Sequence, residues 1–416
     1  MVSGGPLSGL RVIESSLLGP AEMGGLLADL GADVIKVEPP GGDYGRRMTW
    51  PIVRSQDGQT ESSLLSLHVN RGKRSIVLDL KVTQAVEVYL DLVRSADVAI
   101  EAMRPGALAR RGLDYARMRS VNPRIVFCSL SGYGATGPYR DLPSHGIAYD
   151  TWAGQVPVAR DEEGFPYISE HASIGIHAGP LYGALAILAS VLKARETGEG
   201  CSIEVAQSDS AAFFDWYRIE TWRSYDRPDD EVYGNATDGG ERRPPGTGGM
   251  REGVRYQIYE SKDGFVLFMA SEQEFWRNFC EGVGRPDLFE RWPGAKYADH
   301  ARGNHELRTE LARIFTTRTT ADWVAFGRHH NTTIAPVNTP QTIIQDPQFK
   351  ARLPWIPKER LNADMLPYPA RFQDGSSPPE PGRAPSAGQD TDEILAEVAG
   401  YDPDRIRSLR QTGAVQ

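Results

Sequence analysis

Short apolar runs separated by longer stretches of helical period dominate the first half of the chain. The runs fall at Arg11–Ser15, Val34–Val37, Ser75–Leu78, Val98–Glu101 and Ile125–Leu130, and helices are predicted between them over Ala21–Leu30, Thr83–Ser95 and Gly106–Gly112. Because the runs are apolar throughout rather than alternating, both faces need cover, which predicts a parallel, doubly wound sheet with helices on each side. From His177 to Arg195, Leu181, Ala184, Leu185, Leu188 and Leu192 recur at three- and four-residue steps before Gly198, the pattern of a buried helix with a glycine stop. Ser202–Ala206 reads as the next strand, and an aromatic-rich helix follows through Phe213, Phe214 and Trp216.

The pattern changes around Tyr225–Met250, where Asp, Arg, Pro and Gly replace the apolar periodicity. Beyond it, Tyr256–Tyr259 and Phe265–Ala270 flank Ser261-Lys262-Asp263-Gly264, a hairpin signal, and helices are predicted over Phe275–Val283 and Glu306–Arg313. Residues Gln373–Pro385 read as an extended strap and Thr391–Ala399 as a final helix. The expected organisation is a large domain over 1–224 completed by 385–416, a linker with a glycine-rich loop over 225–250, a small α+β domain over 251–340 and a return linker over 341–384.

A length of 416 residues is ample for more than one core. The net charge of −9 argues against nucleic acid or anionic lipid as bulk partners, so a phosphate-bearing ligand would need a local basic patch. The three cysteines, Cys128, Cys201 and Cys280, are scattered, which predicts neither a disulfide framework nor a metal knuckle and suits a reducing cytoplasm. Neither a signal peptide nor an unbroken apolar membrane span is read from the sequence. Glu38 closes the second run where a ribose-binding acid would stand in a dinucleotide enzyme. The first turn, Ser15 to Gly24, carries no GxGxxG, so a nicotinamide dehydrogenase is disfavoured.

Several junctions carry recognisable motifs: Gly31-Ala32-Asp33-Val34-Ile35-Lys36-Val37-Glu38, Asn70-Arg71-Gly72-Lys73-Arg74-Ser75, Arg104-Pro105-Gly106, Asn122-Pro123-Arg124, Ser131-Gly132-Tyr133-Gly134 with Gly137-Pro138-Tyr139, Glu196-Thr197-Gly198-Glu199-Gly200, and Pro336-Val337-Asn338 with Asp346-Pro347. In this order and spacing the chain resembles the family III CoA-transferases, whose relatives include formyl-CoA and carnitine CoA-transferases and the α-methylacyl-CoA racemases. The resemblance implies a Rossmann-like large domain with a parallel sheet, a smaller α+β domain and an interlocked homodimer. Its implied function is movement of CoA between an acyl-CoA and a small carboxylic acid, with coenzyme A as substrate and no metal. It also implies CoA contacts at Lys73, Arg74, Ala102, Met103, Arg104, Pro105 and Tyr139, and a mobile loop at Gly246, Gly248 and Gly249 whose amides would face a developing oxyanion.

The family's nucleophilic aspartate precedes the long buried helix by a fixed distance, and ungapped counting places that position at Ile176. An aliphatic side chain cannot form an acyl adduct, so another group is needed. Glu170, beside His171 and close to His177, is the first candidate for a replacement nucleophile or base. His145 occupies the racemase histidine position and could move a proton next to a thioester carbonyl. His177 reads more simply as a helix-capping group, and Asp150 as a solvent-facing or capping residue. The alternatives to transfer are an isomerase or racemase acting through His145, or a non-catalytic CoA-binding subunit paired with an aspartate-bearing paralogue.

Overall fold

The computed structural model describes residues 5–55, 58, 61–234, 240, 242, 250–297, 299–373, 377–378 and 380–416. Gly246, Gly248 and Gly249 of the expected glycine loop lie outside the described residues. The chain divides into one unit formed by Met1–Asp215 with Leu353–Gln416 and a second formed by Trp216–Arg352.

In the first unit, strands and helices alternate: β1 (Arg11–Ser16), α1 (Glu22–Asp29), β2 (Asp33–Glu38), α2 (Leu64–Asn70), β3 (Arg74–Val77), α3 (Thr83–Arg94), β4 (Val98–Ala102), α4 (Tyr115–Val121) and β5 (Val126–Ser131). They continue with α5 (Ile147–Trp152), α6 (Gly175–Thr197), β6 (Ser202–Ala206) and α7 (Gln207–Phe214). The strands form one six-stranded sheet in the order β6-β5-β4-β1-β2-β3, and every pairing in it is parallel. Strand order reverses between β1 and β4, and the carboxyl ends at such a reversal form a crevice where ligands bind.

The sheet is covered on both faces. Ile13, Ile35, Ile76, Ala99 and Phe127 point to the side packed by α3 and α4. Their neighbours Val12, Val34, Val98, Val126 and Cys128 point to the side packed by α1 and α6. Each such fully buried aliphatic contributes about 1.5–3 kcal/mol, and burial on both faces explains runs without alternation. By length and composition α6 is apolar enough to cross a membrane, yet Ala184, Ile187, Val191 and Ala194 lie in the core beneath the sheet. The final helices, Thr391–Glu397 and Pro403–Gln411, add Ile394, Leu395, Ile406 and Leu409 to the core of the opposite face. The last residues run along the β3 edge, with Asp79 N donating to Ala414 O at 3.0 Å.

Two predicted helices differ from the structure. Over Gly106–Gly112 there is only a 3-10 turn, Ala109–Arg111, because the buried Glu101 carboxylate takes the Leu108 amide at 2.7 Å and Gly106 and Gly112 both have left-handed backbones. The aromatic helix ends at Phe214, and a separate helix, Trp216–Ser224, follows.

The second unit carries an antiparallel three-stranded sheet, Tyr256–Glu260, Phe265–Met269 and Ile334–Pro336. Helices Gln273–Gly282, His305–Phe315 and Thr320–His329 pack on it around Phe268, Trp276, Phe279, Phe315 and Trp323, none of them exposed.

Candidate functional site

A cleft of about 680 Å³ opens at the carboxyl ends of the central strands. Ser15, Ser16 and Leu17 line it from the end of β1, Glu38 to Pro40 from β2, Leu78 to Lys81 from β3, and Met103, Ala107 and Leu108 from the β4 turn. Three cations, Lys81, Arg110 and Arg111, stand on its wall. A crevice at the strand reversal with apolar walls and clustered cations suits a nucleotide carrying phosphates.

Buried charges shape the inner end. Lys36, fully buried, donates from Nζ to Ser16 O at 2.9 Å and lies 3.2 Å from Asp43 Oδ2. Asp43 Oδ2 in turn accepts from the Leu18 amide at 3.3 Å. Leu18 has φ 56° and ψ −142°, a conformation that costs a non-glycine residue of order 1–3 kcal/mol and persists only where its surroundings impose it. The same loop therefore connects Leu17 in the cleft with Gly19 at the foot of α6. On the cleft wall Glu38 is buried, which opposes its ionisation, but the bidentate Arg46 guanidinium outweighs this and holds the carboxyl at about 2.

Ile176 is the second residue of α6 and half-buried. A methyl group on Gly19 would lie 2.5 Å from Ile176 Cδ1, and one on Gly146 would lie 3.3 Å from it. The residue thus stands between the β1 loop and the start of α5. Asp150, fully buried, caps α6 by accepting from the amides of Ile174 at 3.0 Å and Gly175 at 2.6 Å. His177, the next residue, pairs with Glu22, its Nδ1 2.6 Å from Glu22 Oε2. That hydrogen bond raises the His177 pKa above its ordinary value, against the effect of burial.

The sequence-derived candidates separate in space. Met103 lines the cleft, Ala102 is the last residue of β4, and Arg104 and Pro105 belong to the turn that follows. Lys73 does not face the cleft. Its ammonium is buried and contacts Glu14 Oε2 at 2.5 Å and Ala21 O at 2.7 Å, and burial pulls its pKa down to about 8 despite the pull of Glu14. Arg74 forks onto Asp33 and reaches Glu393. The charges expected on phosphate at these two positions are engaged within the fold instead. Tyr139 sits edge-on to Tyr133 at 5.6 Å. His145 precedes α5 and Glu170 precedes α6, both at exposed positions.

The sequence reading missed Lys81, Arg110 and Arg111. Arg110 and Arg111 follow Arg104-Pro105-Gly106 so closely that the motif itself was the available signal. Among the described residues no cluster of three His, Cys, Asp or Glu side chains could hold a metal ion.

The model of CoA-transferase family III matches residues 7–391. The chain belongs to this family. Its chemistry is accordingly CoA transfer, with a CoA thioester as substrate. It is 31% identical to the succinate–glutarate CoA-transferase of Agrobacterium fabrum over 94% of this chain and 96% of that protein. It is 30% identical to the subunit BbsE of succinyl-CoA:(R)-benzylsuccinate CoA-transferase from Thauera aromatica, over 99% of this chain and 98% of the other. Among solved structures, a CAIB/BAIF family protein from Brucella suis superimposes with a TM-score of 0.77 at 26% identity, over 95% of this chain and all of that one.

Proposed function

We propose that this family III CoA-transferase binds the nucleotide of an acyl-CoA in the strand-end cleft and directs the thioester past Leu17 toward the start of α6, exchanging CoA with a small carboxylic acid. The supporting observation is the continuity of the site: Leu17 lines the cleft, and Gly19, at most about 7 Å further along the backbone, is in contact with Ile176. Lys81, Arg110 and Arg111 are assigned to the phosphates as charge-assisted donors, and Met103 and Leu17 to the apolar arm. Dicarboxylic and aromatic acids head the substrates to test, following the names of the relatives at about 30% identity. The cysteines are free, a state that a reducing cytoplasm would maintain.

A second reading follows from Ile176. With an aliphatic side chain at the family's nucleophile position, the chain could serve as the CoA-binding member of a heteromer whose other chain supplies the carboxylate; the relative in Thauera aromatica is itself named as a subunit. Titration calorimetry with CoA, followed by an exchange screen of acyl-CoA donors and carboxylate acceptors read by mass spectrometry, tests both. Binding with exchange supports the first reading, and binding without exchange supports the second. An absence of CoA binding ends both.

A further inference from the structure

We propose that His177, oriented by Glu22, receives the acyl group in this chain in place of the carboxylate that Ile176 lacks. The inference rests on the thioester reaching the start of α6, as set out above.

His177 directly follows Ile176 in the first turn of α6, and Glu22 directly follows the 3-10 turn Gly19–Ala21 on which Ile176 packs. The pair therefore shares one corner of the fold with the family position. Glu22 Oε2 lies 2.6 Å from Nδ1, so the carboxylate holds the ring proton on Nδ1 and leaves the lone pair on Nε2. The imidazole is 61% exposed and its carboxylate partner 20% exposed, so the reactive edge is open while the anchor is sheltered. A nucleophile within hydrogen-bond reach of an orienting group is the arrangement that covalent catalysis uses. The other candidates fit less well. Asp150 is fully buried, its Oδ1 taken by the α6 cap and its Oδ2 enclosed without a hydrogen-bond partner, while His145 and Glu170 precede their helices rather than standing in the first turn of α6 beside Ile176.

The chemistry balances without a further reactant. Nε2 attacks the thioester carbonyl, the carbon–sulfur bond breaks and CoA leaves as thiolate. This gives an acyl-imidazolium whose Nδ1 proton stays with Glu22. The acceptor carboxylate attacks the acyl carbon, the carbon–nitrogen bond breaks and neutral His177 departs from a mixed anhydride. The CoA thiolate then attacks the acceptor carbonyl of that anhydride, forming the new thioester and releasing the donor acid. Around the ring, Glu22 on α1 and Asp150 on α5 favour the cation, while His68, with Arg71 beside it at the end of α2, faces the same pair.

The test uses the full chain with an acyl-CoA donor, quenched rapidly and mapped by peptide mass spectrometry, with hydroxylamine trapping in parallel. The acyl group is expected on the His177 peptide. H177A and H177Q should both lose the adduct and at least about a hundredfold of exchange, while CoA affinity by calorimetry stays within about threefold of wild type. E22Q should keep the adduct site but move the low-pH limb of the rate profile downward, because neutral Nε2 is the reactive form and Glu22 raises the pH at which it appears. An unlabelled His177, label on another residue, or exchange that survives in H177Q would overturn the inference. Failure of the wild-type chain to bind CoA would instead overturn the cleft assignment, so the two failures are distinguishable.

Discussion

Ile176 Cδ1 occupies the space that a side chain on Gly19 would need, 2.5 Å from where its Cβ would lie. The cleft loop and the start of α6 are thus in van der Waals register. Gly19→Ala should push the Ile176 side chain off its rotamer, at a cost of about 0.5–1.5 kcal/mol. The check is a urea midpoint alongside a thioester exchange assay, and a loss of exchange larger than the loss of stability would tie the loop to the site.

Replacing Ile176 by aspartate tests the proposal that this position corresponds to the family's nucleophile. I176D is expected to form an aspartyl adduct that borohydride traps, and to exceed wild-type exchange by about tenfold or more, given the nucleophilicity a carboxylate brings. A variant that binds CoA and forms no adduct would show that position 176 no longer meets the thioester.

The cations on the cleft wall give a sharper binding test. Arg110→Ala and Arg111→Ala should each weaken CoA affinity by about tenfold, or ~1.4 kcal/mol, with a reduced salt dependence. Lys73→Met should do something different. It leaves the Glu14 carboxylate buried and unpaired, with an expected loss of about 3–5 kcal/mol of stability, seen in calorimetric unfolding rather than as a selective loss of CoA affinity.

Glu38 makes the fold sensitive to acid. Its carboxyl ionises at about 2 in the folded chain and at 4.5 in the reference state, so its contribution is fully present above pH 4.5 and is lost as pH falls from there toward 2. The difference corresponds to about 3 kcal/mol. Urea unfolding between pH 2 and 5 should show this slope, and Glu38→Gln should flatten it.

Capping of α6 by Asp150 is a separate structural contribution. Asp150→Ala removes the acceptor for two amides, Ile174 and Gly175, and should cost about 1–2 kcal/mol. Asp150→Asn, which keeps an acceptor oxygen, should recover most of it.

Periodicity placed the six strands of the parallel sheet to within a residue or two, because apolar runs and helical stripes are local signals that double-sided burial makes strong. Two of the helices it missed also had local marks. Thr319 and Asp322 form a capping box, and Asp402 caps a helix with Pro403 in its first turn. Polar rather than apolar residues carry those signals, and a search by hydrophobic period passes over them.

The candidate site was legible only where its chemistry is also local. The motif match located the β4 turn, since Arg104-Pro105-Gly106 follows from residue type and spacing along one segment. Which cations face the cleft was decided by tertiary structure. Lys73 is 59 residues from Glu14 and Arg74 is 41 from Asp33, and nothing near either basic residue in the chain announces an acid waiting across the sheet. His177 became a candidate for the same reason, through a carboxylate 155 positions away. Sequence determines element type through local periodicity, but a side chain's charge is assigned by whichever partner the packed helices bring within a few ångströms.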